Sequence, residues 1–432
     1  MKESEKWNKP TKIGVALFTD LTLFYDAINI GLKKGYLTAH LFKELIEEDE
    51  TIFYRVKGLK YIKDYKKTAF EHLIQELYLF NFVQKKGQRY VVTEEGKTLM
   101  KLYLQNSNEY YLLLLRKMQE VYTIPGWLID RLWELNPKGQ GQIVIPAPIK
   151  SWKPCSLRWE DKEWNDNLGN ICEKTIEKIH ENLAGSFPID KKEWVIEVKK
   201  VYEHQGEQRN TQKNAKSNKN NLQMFSPRKR LTLAMKKATI DLLFNSKDNH
   251  FGSSREPLNS RSFMVWCPRL ETLGLLFYSD YYSSIPGRLL FPTCVYREVS
   301  EKTNFEALSD IQHPNEKFLH LFKPTWESFK TLYLENLHEV YQRIYNREGI
   351  IYVSLQDIRD EVCRLLRINS NTFEDFLEKS YYASIHREIH LAISLETDIR
   401  EDQKGGSQML RRGIFIRKVM YSLIAITIFQ NK

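Results

Sequence analysis

The sequence predicts a mainly α chain with small β wings (an α+β class) built from several domains. Three observations carry this reading. The chain has 432 residues, more than one hydrophobic core usually serves. Apolar residues recur at helical spacing over much of it. Near each end, helical text gives way to short β-like runs around a polar, Gly-containing stretch. With 42% hydrophobic and 28% charged residues and a mean hydropathy of −0.50, there is ample apolar material for packed domains under a wet surface.

Residues 1–104 form the first expected domain, and 15–104 show its order of elements. A helix is expected over Leu21 to Leu32, where Phe24, Ile28 and Leu32 recur every four residues. Thr38 is a plausible cap for a second helix carrying Leu41, Phe42, Leu45 and Ile46. A third follows Asp64, with Phe70, Leu73, Ile74, Leu77 and Tyr78 on one face and Lys63, Lys66, Lys67, Glu71 and Gln75 elsewhere. Two β segments, Phe82–Gln84 and Tyr90–Val92, then flank the basic turn Lys85-Lys86-Gly87-Gln88-Arg89, and Thr93 caps a closing helix. Three helices followed by a hairpin is the order of a winged helix.

The text ELYLFNFVQKKGQRYVVTEEGKTLM resembles the end of a bacterial winged-helix (winged helix-turn-helix) domain, in which an LTEEG-like stretch follows the wing. The resemblance covers about the first quarter of the chain. It implies that the third helix enters the major groove while the wing touches the backbone. On that basis the contact candidates are Lys66, Lys67, Gln75, Lys85, Lys86 and Arg89. Winged helices also serve as protein-docking modules, so the fold leaves both uses open.

Residues 105–205 are read as a helical middle domain. Helical text from Tyr110 to Glu134 is broken at Pro125-Gly126, and Pro137 to Pro154 is a Pro- and Gly-rich connection. A helix carrying Ile171, Ile176, Ile179 and Leu183 stops at Gly185. Residues 206–230 are poor in apolar side chains and read as a flexible basic linker ending in Arg228, Lys229 and Arg230, three further phosphate-contact candidates. Residues 231–322 form an aromatic-rich α/β segment, with a helix over Leu231 to Phe244, another near Leu270 to Tyr278 and a strand near Arg288 to Val295. Its Tyr278, Tyr281, Tyr282 and Arg288 suit either base stacking or a core.

Residues 323–432 repeat the first pattern in outline. Trp326 to Tyr345 is a long helix, Ser354 caps a second and Asn371 a third, and strand-like text over Ile389 to Leu395 and Ile414 to Phe429 encloses a polar loop. A second winged-helix-like unit is expected on the order of elements alone. Its loop supplies Arg400, Lys404, Arg411 and Arg412 as backbone contacts.

Lys and Arg number 65 against 55 Asp and Glu, a formal charge of +10, which attracts polyanions through counterion release. The five cysteines lack zinc spacing, so neither a metal nor a disulfide frame is implied. No apolar leader and no run of membrane-spanning length is apparent, so a cytoplasmic protein without membrane attachment is expected. The best enzymatic candidate is Asp190 with Glu197-Val198-Lys199, an acid and E-x-K pattern that a Mg-dependent nuclease would carry on a β-strand. Here Asp190 and Glu193 form a capping box, with Trp194, Val198, Val201 and Tyr202 on one helical face. HREIH over His386 to His390 is not the HExxH order, and PKGQGQ lacks the ending of a phosphate loop. The expectation is a non-catalytic DNA-binding protein without a cofactor, a subunit that brings DNA to partner proteins in a bacterial DNA-management or antiviral defence complex. The alternatives are a protein-interaction scaffold and the Mg-dependent nuclease.

Overall fold

The computed structural model describes residues 20–48, 67–105, 107–122, 124–148, 161–214, 227–244, 260–279, 286–293, 295–296, 306–307, 320–397, 414–416 and 419–429. In chain order the elements are α1 (Thr22–Lys34), α2 (Ala39–Glu48), α3 (Lys67–Leu79), β1 (Val83–Lys86), β2 (Arg89–Val92), α4 (Glu94–Gln105), α5 (Ser107–Val121), α6 (Ile124–Leu135) and β3 (Ile143–Pro146). There follow α7 (Asp161–Asn182), α8 (Lys191–Asn214), α9 (Pro227–Phe244), α10 (Ser260–Thr272), β4 (Leu276–Tyr278), β5 (Gly287–Pro292), β6 (Val295–Tyr296), β7 (Glu306–Ala307) and β8 (His320–Lys323). The C-terminal elements are α11 (Trp326–Glu348), β9 (Val353–Ser354), α12 (Leu355–Leu366), α13 (Ser370–Ile385), β10 (Leu391–Glu396), β11 (Ile414–Ile416), β12 (Val419–Tyr421) and β13 (Leu423–Ile428). The fold is mainly helical with small antiparallel sheets. Among the described residues no helix is long and apolar enough to cross a membrane.

The chain divides into two compact units. Among the described residues, one comprises those within Trp127–Met264 and Tyr278–Pro292, and the other those within Thr11–Gly126, Val265–Phe277 and Thr293–Lys432. The first unit is built around α8 and α9. Asp190 accepts a hydrogen bond from the Glu193 backbone N–H at 2.9 Å and starts α8, as its place in the sequence predicts. Trp194 is buried, packs edge-on against Phe187 and donates its indole N–H to Thr239 at 2.8 Å. The fully buried strand β3 pairs antiparallel with β5, Ile143 facing Leu290. Sequence reading missed β3, because its run of apolar residues sits inside Pro- and Gly-rich text. The α8 helix continues through Asn214 and α9 begins at Pro227.

In the second unit α1 buries Leu23, Phe24, Ala27 and Ile28 and ends at Gly35 with φ 76°. The Thr38 hydroxyl accepts from the Leu41 N–H at 3.2 Å, and the Thr93 hydroxyl accepts from the Gly96 N–H at 3.1 Å. Both expected caps therefore form. The break between α5 and α6 falls just before Ile124, with Pro125 and Gly126 already in the first turn of α6, where a proline lacks no needed donor.

The C-terminal part of this unit places β9 between α11 and α12, and its sheet runs β10-β13-β9, antiparallel throughout. Ser354 caps α12 through the Asp357 N–H. The cap of α13 is Asn369, which accepts from the Thr372 N–H at 3.0 Å, and not Asn371. Asn369 has the extended backbone a cap needs (φ −87°, ψ 170°), whereas Asn371 already lies in the first turn. A further correction concerns α10, which spans Ser260–Thr272 and carries Pro268 inside it, while Leu276–Tyr278 is strand. An internal proline usually ends a helix, which hid the first turns of α10 in the sequence.

Candidate nucleic-acid interface

The candidate interface comprises the β1–β2 hairpin and α3. Phe80 and Phe82 are buried and pack edge to face at 6.1 Å, anchoring the base of the hairpin beneath the turn at Asn81. In β1 only Val83 points inward; Gln84, Lys85 and Lys86 are exposed. The register pairs Lys86 with Arg89 and Lys85 with Tyr90, so Gly87 and Gln88 form a two-residue turn. Gly87 takes φ 61° there, which suits glycine at the first position of such a turn. The tip is thus forced to present Lys85, Lys86 and Arg89 to solvent.

A third segment steadies the hairpin. Leu37 and Tyr90 exchange both backbone hydrogen bonds, at 2.8 and 3.0 Å. The neighbouring Tyr36 ring lies 4.3 Å from the Arg89 guanidinium carbon, a cation–π distance. Lys33 and Lys34, both exposed, end α1 just before Gly35 and Tyr36. None of Lys33, Lys34, Lys85, Lys86 or Arg89 is ion-paired with a carboxylate among the described residues. The acidic start of α4 is matched separately, Glu94 by Lys97 at 2.6 Å and Glu95 by Lys117 at 3.5 Å.

Of α3, Glu71, Gln75 and Tyr78 face solvent while Leu73, Ile74 and Leu77 are buried. Tyr78 corrects the sequence reading, which set it on the inner stripe; it is 49% exposed and meets Tyr90 at 6.2 Å between ring centroids. The rotation of α3 is fixed by Glu76, which is 2% exposed and receives two hydrogen bonds from Arg269, at 2.7 and 2.9 Å. The buried Tyr122 phenol lies beside this pair, and burial together with the Glu76 carboxylate pushes its pKa well up.

The expected contact residues do not gather in one place. Gln75 on α3 and Lys85, Lys86 and Arg89 on the hairpin are all exposed, Lys85 on the hairpin face of Tyr90 and the Lys86–Arg89 pair on the other face. Lys67 opens α3, its side chain and all of Lys66 lying outside the described residues, as do Arg400, Lys404, Arg411 and Arg412. Arg228 and Lys229 start α9 in the other unit, half-buried and exposed respectively. Arg230 is a correction: it is 9% exposed, with its guanidinium 3.8 Å from the Tyr202 ring, because its helical position turns it onto α8. Sequence reasoning missed Lys33, Lys34, Tyr36 and Tyr78. The pairing of Leu37 with Tyr90 brings Tyr36 to Arg89, and no local pattern announces that.

The E-x-K residues lie on a helix. Glu197 and Lys199 are inside α8, and Glu197 meets Lys200 at 3.3 Å. On α13 the solvent-facing charges include Asp375, paired with Lys379 at 2.8 Å.

Compared with known protein families, curated proteins and solved structures, the chain matches none.

Proposed function

We propose that this chain is a non-catalytic DNA-binding protein whose N-terminal module is a winged helix. The reading is carried by the exposed cations of the hairpin, Lys85, Lys86 and Arg89, which have no carboxylate partner among the described residues, together with the exposed Gln75 of α3. In this view α1, Leu37, α2, α3, β1 and β2 are the helices and strands of the module, and the hairpin is its wing. Lysine and arginine on a wing neutralise phosphates and release counterions, which supplies sequence-independent affinity. Gln75 is suited to hydrogen-bond a base edge from the third helix.

The C-terminal order α11, β9, α12, α13, β10, β13 supports a second winged helix. Its third helix differs in charge. Asp375 and Glu378 on α13 would face phosphates with the wrong sign, which favours protein docking for this module. The protein then acts as an adaptor that holds DNA through its N-terminal module and a partner protein through its C-terminal module, a role suited to a subunit of a DNA-management or defence complex.

Binding of labelled duplex DNA by the purified protein in a salt series tests the first part. Tight binding with a steep salt slope and intact DNA in the presence of Mg²⁺ is expected. Absence of binding at low salt leaves only the docking role, and cleavage lost in Glu197→Ala would restore the nuclease.

A further inference from the structure

The wing and α3 carry an aromatic group whose exposure the duplex contacts do not explain. Tyr78 sits one turn beyond Gln75 on the solvent face of α3, and about half of it (49%) is open to water. Its neighbour Tyr90 is held by two backbone hydrogen bonds to Leu37 and meets the Tyr78 ring at 6.2 Å, with 67° between the ring planes. Rotation of α3 is fixed from the opposite side by the Glu76–Arg269 pair. The ring is therefore positioned in advance, against Tyr90, whose cross-strand partner is the exposed Lys85.

We propose that Tyr78, steadied by Tyr90, is a stacking platform for an unpaired base, and that the preferred substrate is DNA at a junction between duplex and single strand. The proposal rests on the DNA-binding reading of the wing and names its substrate class. Every base offers a π face to a tyrosine, whatever its identity. In an intact duplex those faces are occupied by neighbouring base pairs. Exposing one costs at least as much as stacking it on a single tyrosine returns. Tyr78 therefore gains nothing from blunt, uninterrupted duplex and gains fully where a base is already unpaired. The wing cations hold the backbone on the duplex side, and the ring takes the first unpaired base.

The test measures affinity of the full chain for a blunt duplex, for the same duplex with a single-stranded tail, and for the tail alone. Wild-type protein is expected to bind the tailed duplex roughly tenfold more tightly than the blunt one, the size of one base–aromatic stack. Tyr78→Ala is expected to abolish that preference, with a circular-dichroism spectrum and melting temperature like those of wild type showing that the variant is folded. Tyr78→Trp is expected to keep it. A fluorescent base analogue at the first unpaired position is expected to be quenched by wild type and not by Tyr78→Ala. Equal wild-type affinity for blunt and tailed duplexes, or a preference that survives in Tyr78→Ala, would overturn the stacking platform while leaving the wing as a DNA contact. Failure to bind any of the three DNAs would instead remove the DNA-binding reading itself.

Discussion

Gly96 shows how closely one residue controls the candidate interface. A Cβ at this position would run into the Phe82 carbonyl oxygen and lie 2.8 Å from Val92 Cγ1, so the approach of α4 to the hairpin requires glycine. Backbone cannot yield as a side-chain tip can. Gly96→Ala is therefore expected to destabilise the protein by about 1–3 kcal/mol, the usual cost of overpacking, read as a lower urea midpoint. Cysteine chemistry gives a second residue-scale expectation. Burial pushes the Cys172 thiol up to about 12, and Cys267 and Cys363 are fully buried as well. Thiolates are the reactive form, so all three are expected to resist alkylation at mildly alkaline pH in the native protein and to react once it is unfolded, as mass spectrometry would show. Legibility at this scale depended on whether a residue's partner is local. The caps at Thr38, Thr93, Asp190 and Ser354 bond to the next turn of chain, so sequence finds them. Tyr78 has the apolar character of a core residue, and only the actual rotation of α3 turns it outward.

At the scale of elements, the buried pair Glu76–Arg269 ties α3 to α10 across 193 residues of sequence. The same segment supports the third helix of the C-terminal part. The Asn369 amide donates to the Glu271 carbonyl at 2.9 Å, Ser370 donates to the Glu271 carboxylate, and Asn371 donates to the Thr272 carbonyl. One strut, Val265–Phe277, thus fixes both α3 and the start of α13. Removing one partner of a buried ion pair strands the other, at a cost of about 3–5 kcal/mol, whereas replacing both with apolar groups is far milder. Arg269→Met is accordingly expected to destabilise strongly, and Glu76→Leu combined with Arg269→Met to recover most of the loss in a double-mutant cycle. None of this was legible in the sequence, because a contact of such separation leaves no periodic trace. Helices with a clear stripe, such as α1, α7 and α12, were legible for the opposite reason: their pattern is local.

For the whole molecule, the formal charge of +10 indicates attraction to polyanions without saying where it acts. The structure distributes it unevenly. Part lies on the hairpin, part starts α9 in the other unit, and Arg230 is spent on packing against Tyr202. The sequence could name Lys85, Lys86 and Arg89 because basic residues around a Gly-containing turn between β segments have a local signature. It could not add Tyr36, whose ring reaches Arg89 only through the pairing of Leu37 with Tyr90. The role proposed for this hairpin is that of a phosphate-binding wing. The most direct measurement is duplex-DNA affinity across a salt series for wild type and for the combined variant Lys85→Ala, Lys86→Ala and Arg89→Ala. Each lost phosphate contact is expected to reduce the log–log salt slope by about 0.9, so weaker binding with a visibly shallower slope is the expected result. Unchanged affinity and slope in the combined variant would contradict the claim.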